Sequence, residues 1–211
     1  LYREPDGSWM ADLVRQNPLA LLVTNSAAGG TPHATHMMAI PDPATEDDWS
    51  DDLVGATLLG HLNRANPHWP TLTTGSTALL VFTGCHAYVS PTVYGISPAA
   101  PTWNFTAVHV HGVLDLIPPG DDTLHVVQST VRACESRFGT NWDMSDSVAY
   151  FRGMISQVGA FRFTAERAEG MFKLSQEQSP EIRDRVRQSF AAKPCPRHQE
   201  TADLMGRLPS R

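Results

Sequence analysis

The chain contains no CxxC pair, no HExxH segment, no glycine-rich phosphate loop and no apolar run of membrane-spanning length. Its three cysteines, Cys85, Cys134 and Cys195, are too scattered for a zinc knuckle. An odd, unpaired count is that of a reduced compartment, so a cytoplasmic protein is expected. No leader-like charge and apolar pattern opens the sequence, and no membrane partner is expected. Basic residues are short as well. Lys and Arg total 16 against 22 Asp and Glu, a formal charge of -6, which removes the electrostatic attraction that drives nucleic-acid binding. Gly29-Gly30 sits in a turn and not after a strand that opens a helix, so it is no dinucleotide fingerprint. Ser90 and Ser175 lack a matching histidine and carboxylate set for nucleophilic hydrolysis.

What is present is punctuation. Sixteen prolines and fifteen glycines in 211 residues imply many turns, which favours a mainly β chain with flanking helices (α+β) over a helical bundle. Alternating or dense apolar runs predict strands at Leu19–Thr24, Thr31–Ile40, Leu53–His61, Ala78–Thr83, Thr102–Leu116 and Val158–Thr164. A hairpin turn is expected at Asn25–Gly30. Helical spacing predicts helices at Ser8–Gln16, Asp121–Phe138 and Ser147–Ser156, with Asp121 or Asp122 as cap of the second. Ser179-Pro180-Glu181 is a helix start, with proline at the first helical position, and a short last helix is expected around Glu200–Met205. With no linker or repeat, the expectation is one domain over residues 1–211, a mostly antiparallel barrel carrying a helical C-terminal extension at about 179–211.

The segment Gly60-His61-Leu62-Asn63-Arg64-Ala65-Asn66-Pro67-His68-Trp69 crowds two histidines, an arginine and two asparagines into a turn after an apolar strand. Such loops commonly carry chemistry. A backbone-fixed His61 beside an apolar wall suits axial ligation of haem iron, but on residue chemistry alone a structural histidine is the stronger reading. Arg64 and Lys173 are candidate partners for a carboxylate or phosphate. His109-x-His111 is a weak metal pair. Trp69, Tyr88, Tyr94, Trp103 and Phe105 would line a flat pocket or simply fill a core.

Four segments together resemble the PaiB-type family of FMN-binding split-barrel proteins: Gly60–Trp69, Gly84-Cys85-His86-Ala87-Tyr88-Val89-Ser90-Pro91, Pro101-Thr102-Trp103-Asn104-Phe105-Thr106-Ala107-Val108-His109 and Lys173-Leu174-Ser175-Gln176. Val93 before Tyr94 and Glu177-Gln178 after the lysine motif depart from the common family pattern. With Gly170-Met171-Phe172, these departures resemble the haem-dependent piperazate synthases of natural-product biosynthesis. That resemblance implies a split β-barrel, usually a homodimer, holding haem b with His61 as the axial metal ligand. It implies an N–N bond-forming, dehydrating and redox-neutral cyclisation of N5-hydroxy-L-ornithine to L-piperazic acid. Arg64, Trp103, Phe105 and Met171 would then contact the cofactor, and Lys173, His109, Asn104 and Thr106 the substrate. The alternative implied by the wider family is an FMN-binding flavoprotein or a transcriptional regulator.

Overall fold

The computed structural model describes residues 2–3, 8–26 and 30–209. Residues 27–29 of the expected hairpin turn and 210–211 of the C-terminal extension lie outside these. Six strands follow one another as β1 (Leu19–Thr24), β2 (His33–Pro41), β3 (Thr57–Asn63), β4 (Thr77–Val89), β5 (Thr102–Ile117) and β6 (Val158–Lys173). Between and beyond them lie helices α1 (Ser8–Gln16), α2 (Pro91–Tyr94), α3 (Asp121–Phe138), α4 (Val148–Met154), α5 (Pro180–Ala191) and α6 (Pro196–Gly206). The fold is mixed α+β.

Every strand pairing is antiparallel, and the order β1-β2-β3-β6-β5-β4 returns from β4 to β1. The expectation of a split barrel is corrected by this order. The six strands form one continuous hydrogen-bonded sheet closed on itself, with no break between two halves, because Leu21–Val23 of β1 pairs with Leu79–Val81 of β4. Alternation sets the interior. Leu22, Leu58, Leu80, Phe82, Val108, Val110, Leu114, Phe161, Phe163 and Phe172 are all buried inside. Gly60 is a packing requirement: a Cβ there would stand 2.5 Å from Cζ of Phe161.

α1 closes one end of the ring, its Trp9 meeting Phe172 edge-on at 5.5 Å. α3 lies outside β2, β3 and β6, over a second apolar cluster of Ile40, Leu59, Ile117, Val126 and Ala160. Ser179 caps α5 through its hydroxyl, as the sequence predicts. The cap of α3 differs: Gly120 occupies that position and no side chain caps it, so Asp121 and Asp122 serve only as acids in the first turn. β3 begins later than expected, because Leu53 and Gly55 adopt left-handed backbone in a turn. β6 runs nine residues beyond its expected end at Thr164, to Lys173.

Candidate functional site

Two bulges decide which side chains meet at the start of β5. Opposite β5, the register of β6 slips between His111 and Gly112, leaving Glu166 as the extra residue. Before it Phe161, Phe163 and Ala165 point inward. After it the phase inverts, so Phe172 is buried while Glu169, Met171 and Lys173 turn outward. A second slip between Thr83 and His86 does the same on β4 and turns His86 and Tyr88 outward. The result is an aromatic outer face. His86, Phe105 and Lys173 form one cross-strand row, and Tyr88 faces Trp103 in the next. Trp103 is 51% exposed and Met171 45%. The Trp103 ring lies 5.7 Å from His86 and 5.8 Å from Tyr88.

The residues singled out from sequence divide between this face and several other places. Trp103, Phe105 and Met171 are on it. Lys173 is at its edge, donating to Thr102 Oγ1 at 2.5 Å with Nζ 5.6 Å from the centre of the Tyr2 ring. His109 is exposed further along β5, opposite Glu169. Asn104 is fully buried and exchanges hydrogen bonds with Ser175 at 3.0 and 3.1 Å, a structural pairing. Thr106 is buried beside the β4 bulge, its hydroxyl 3.4 Å from the Cys85 carbonyl. It opens onto a cavity of about 440 Å³ between α1 and α6, which Cys85, Asp12 and Glu200 also line. Burial pushes the Cys85 thiol above its ordinary pKa, which keeps it protonated and weakly nucleophilic.

His61 and Arg64 are elsewhere. His61 faces Ala160, which in turn faces Ile117 at the far end of β5. Phe105 is twelve residues from Ile117 on that strand, roughly 40 Å at about 3.3 Å per residue. Within one chain, no single planar group spans His61 and the aromatic face. The imidazole is packed under α3, its Nδ1 3.5 Å from Thr130 Oγ1, and burial lowers its pKa. Arg64 donates from Nε to the Val158 carbonyl at 3.0 Å and stacks on Trp69 at 5.1 Å. The haem, iron and metal-binding expectation is therefore corrected. The proposed ligand and the proposed haem contacts lie at opposite ends of β5, and among the described residues no three His, Cys, Asp or Glu side chains are grouped to hold a metal ion.

A basic cluster that sequence reading passed over flanks the aromatic face. Arg197 Nη1 lies 3.4 Å from His86 Nε2, and Lys193 Nζ lies 3.4 Å from His198 Nε2. His86 and Arg197 are 111 positions apart, so no local motif announces the contact. The only signal is the density of base in Lys193, Arg197 and His198.

At the other end of the interior, His68 is buried between Thr24 Oγ1 at 2.8 Å and Thr35 Oγ1 at 3.0 Å, with His33 stacked 5.2 Å away. Both ring nitrogens are satisfied, so His68 is a structural plug.

A family model described as "Putative FMN-binding domain" matches residues 1–167. The chain is 26% identical over 223 residues to "Uncharacterized protein AN0679" of Emericella nidulans, covering 90% of this chain and 88% of that one. It is 25% identical over 196 residues to "Protease synthase and sporulation protein PAI 2" of Bacillus subtilis, covering 92% and 88%. Among solved structures it is similar to the FAD and heme binding protein from Mycobacterium smegmatis, with a TM-score of 0.60, 13% identity, and 87% and 79% of the two chains covered. It is also similar to the flavocytochrome Anf3 from Azotobacter vinelandii, with a TM-score of 0.56, 14% identity, and 86% and 73% covered. At such identities the structural likeness establishes the fold. Among the described residues no helix is long and apolar enough to cross a membrane.

Proposed function

The chain belongs to the family whose model carries the description "Putative FMN-binding domain", and from that premise we propose that it is a flavoprotein that holds FMN on the outer face of β4, β5 and β6. The observation that carries this reading is the outward-facing row of exposed Trp103, half-buried Phe105 and exposed Met171, with cationic side chains along one border. A flavin is a flat apolar ring system with an anionic tail, and this face offers the complementary parts. When bound, the flavin would supply reversible electron transfer that no side chain provides. The chain's own residues would bind and orient it: Phe105 and Trp103 by ring contact, Met171 by its polarisable thioether.

A second copy of the chain is part of this reading. Leu19 is 61% exposed and Tyr88 44%. The outer faces of β1, β4 and β5 thus leave apolar side chains in water that a homodimer contact would cover. A ring held between two copies would be shielded from solvent on both faces.

The haem-dependent N–N bond-forming reading drawn from resemblance gives way to this one, because it needs His61 within reach of the group that Trp103, Phe105 and Met171 contact. A regulatory role through DNA has the charge of -6 against it.

The test is to add FMN to purified protein and follow flavin fluorescence. Quenching that saturates at one FMN per chain, and that is weakened by Trp103→Ala, is the expected result. Protein that carries a Soret band and leaves flavin fluorescence untouched would reject the proposal.

A further inference from the structure

Thr106 of β5 and Phe172 of β6 face each other across the two strands and point away from the side that carries Phe105, Met171 and Lys173. α1 and α6 pack on this side without filling it. The cavity of about 440 Å³ left between them has Thr106 and Phe172 in its floor, with Trp9 and Leu13 of α1. All four are buried, so the floor is largely apolar and aromatic. Its polar points are the Thr106 hydroxyl and the Cys85 thiol. Gly84 leaves that hydroxyl uncovered, since a Cβ there would press against Thr106 Oγ1. At the mouth, Phe138 at the end of α3 is 60% exposed.

The charges around the mouth do not cancel. Asp12, Glu200 and Asp203 stand there with Arg137 and Arg207. The Arg207 guanidinium lies 4.8 Å over the Trp9 ring and 3.8 Å from Asp12. Arg137 donates from Nη1 to the Arg15 carbonyl at 3.2 Å and lies over the Phe138 ring. Glu200 and Asp203 are one turn apart on the same side of α6, and among the described residues neither has a basic partner. Burial raises the Cys85 pKa first and the Glu200 charge adds to the rise, so this carboxylate acts on the floor of the cavity. The Arg207 contact shows what the walls hold: a cation on an aromatic face beside a carboxylate.

We propose that this cavity binds a small organic cation, a primary ammonium carried on an aromatic or apolar body. The body rests on Trp9, Leu13 and Phe172, and the ammonium is held by Glu200 and Asp203. The volume lies within the range of small-molecule sites, about 300–1,000 Å³. Charge complementarity selects the class: a neutral body of the same shape leaves the two carboxylates unanswered, and an anion is repelled by them. The family model ends at residue 167, so the acidic wall on α6 lies beyond the matched segment. Because the cavity and the flavin face are on opposite sides of β5 and β6, this site does not rest on the flavin reading.

The experiment uses the full chain and three probes of one shape: 2-phenylethylamine, 2-phenylethanol and 3-phenylpropionate. Calorimetry measures binding. Alkylation of Cys85 by N-ethylmaleimide, followed by peptide mass against the free thiols of Cys134 and Cys195, reports where the probe sits. The amine should bind saturably and about fivefold more tightly than the alcohol, the upper end for a partly exposed ion pair. It should slow the alkylation of Cys85 and leave the other two thiols unchanged, and the propionate should not bind. Glu200→Gln/Asp203→Asn, at two exposed positions, should abolish the preference for amine over alcohol, with the fold checked by circular dichroism. Arg207→Gln should tighten the amine severalfold, because it removes the cation that competes for the Trp9 face. No saturable binding of the amine, equal affinity for amine and alcohol, or binding that leaves Cys85 unprotected would each overturn the proposal. Protection of Cys85 by FMN would overturn it as well, by giving the cavity to the flavin.

Discussion

His61 of β3 stands beside one end of the β5–β6 pairing and Phe105 lies at the other: Ala160 faces both His61 and Ile117, and Phe105 is twelve residues back along β5. Segments that look like one motif set in sequence are thus two separate regions in space. His61→Ala should remove an imidazole packed under α3 without touching the flavin face. The expected cost is about 1–2 kcal/mol of stability, the usual range for a partly buried side chain, with FMN affinity within twofold of the parent. Urea denaturation and fluorescence titration measure the two. A His61→Ala protein of parental stability that no longer binds FMN would reverse this assignment.

Trp103 and Phe105 should show the opposite pattern. Trp103 is half exposed, so Trp103→Ala should cost less than about 1 kcal/mol of stability. It should nevertheless weaken FMN by about tenfold or more, since ring stacking contributes about 1–3 kcal/mol per aromatic contact. The same titration with Val113→Ala, further along the outer side of β5, is the control for general damage to the strand.

The parts of this architecture set by neighbouring residues were legible in sequence, and those set by distant ones were not. α1 and α3 match their expected spans of Ser8–Gln16 and Asp121–Phe138, because helical spacing and terminal residues sit within a few positions of one another. β6 was cut short at Thr164 because the bulge at Glu166 inverts the alternation, and a broken period reads as the end of a strand. The outward turn of Trp103 and Phe105 could be read from alternation, but their separation from His61 needed the β3–β6–β5 register. The contact between His86 and Arg197 depends on where α6 packs, which no local pattern encodes.

Two glycines give a graded test of packing. A Cβ at Gly60 would meet two buried side chains, Phe161 and Met37, which can give way only by local repacking of the core. A Cβ at Gly112 would press against the backbone carbonyl of Thr164 beside the bulge, which cannot move without breaking the β5–β6 ladder. Gly60→Ala should cost about 1–3 kcal/mol, the ordinary penalty of overpacking, and Gly112→Ala more. Equal midpoints in urea for the two variants would contradict the view that Gly112 is required by the backbone.

Acid should destabilise the protein through His68. Burial, and then the nearby His33 charge, hold its pKa below the ordinary 6.5. The unfolded chain takes up that proton near 6.5, and the folded chain only at lower pH, so the unfolded state binds more protons between the two values. The contribution is fully present above about pH 6.5 and is lost as pH falls towards the folded value. His61, depressed by burial, acts in the same direction. Stability measured by urea at pH 7.5, 6.5, 5.5 and 5.0 should fall over that series. His68→Gln should be less stable at pH 7.5 and show a shallower decline. A decline of unchanged slope in that variant would assign the pH dependence to other groups.

Asn104 tests whether the core beneath β5 controls the basic cluster outside it. Its side chain donates to Ser175 Oγ at 3.0 Å and accepts from it at 3.1 Å, and a second amide hydrogen points at Met205 Sδ of α6 at 3.5 Å. Ser175 adopts a left-handed backbone, φ 64°, a conformation costly for a residue with a Cβ. Ser175→Gly would relieve that cost while leaving the Asn104 amide short of a partner, so the two effects oppose each other and the net change should be below about 1 kcal/mol. Asn104→Ala has no such offset. It strands the buried Ser175 hydroxyl, at about 1–3 kcal/mol, and removes the polar link to Met205. Because Arg197 and His198 ride on the first turn of the same helix, loosening α6 should also widen the distribution of their side chains. Hydrogen exchange separates this from simple loss of stability: α6 amides should exchange faster in Asn104→Ala while β3 and β6 amides keep their protection relative to global unfolding. If α6 retains its relative protection, Asn104 is a core hydrogen bond with no hold on the basic cluster.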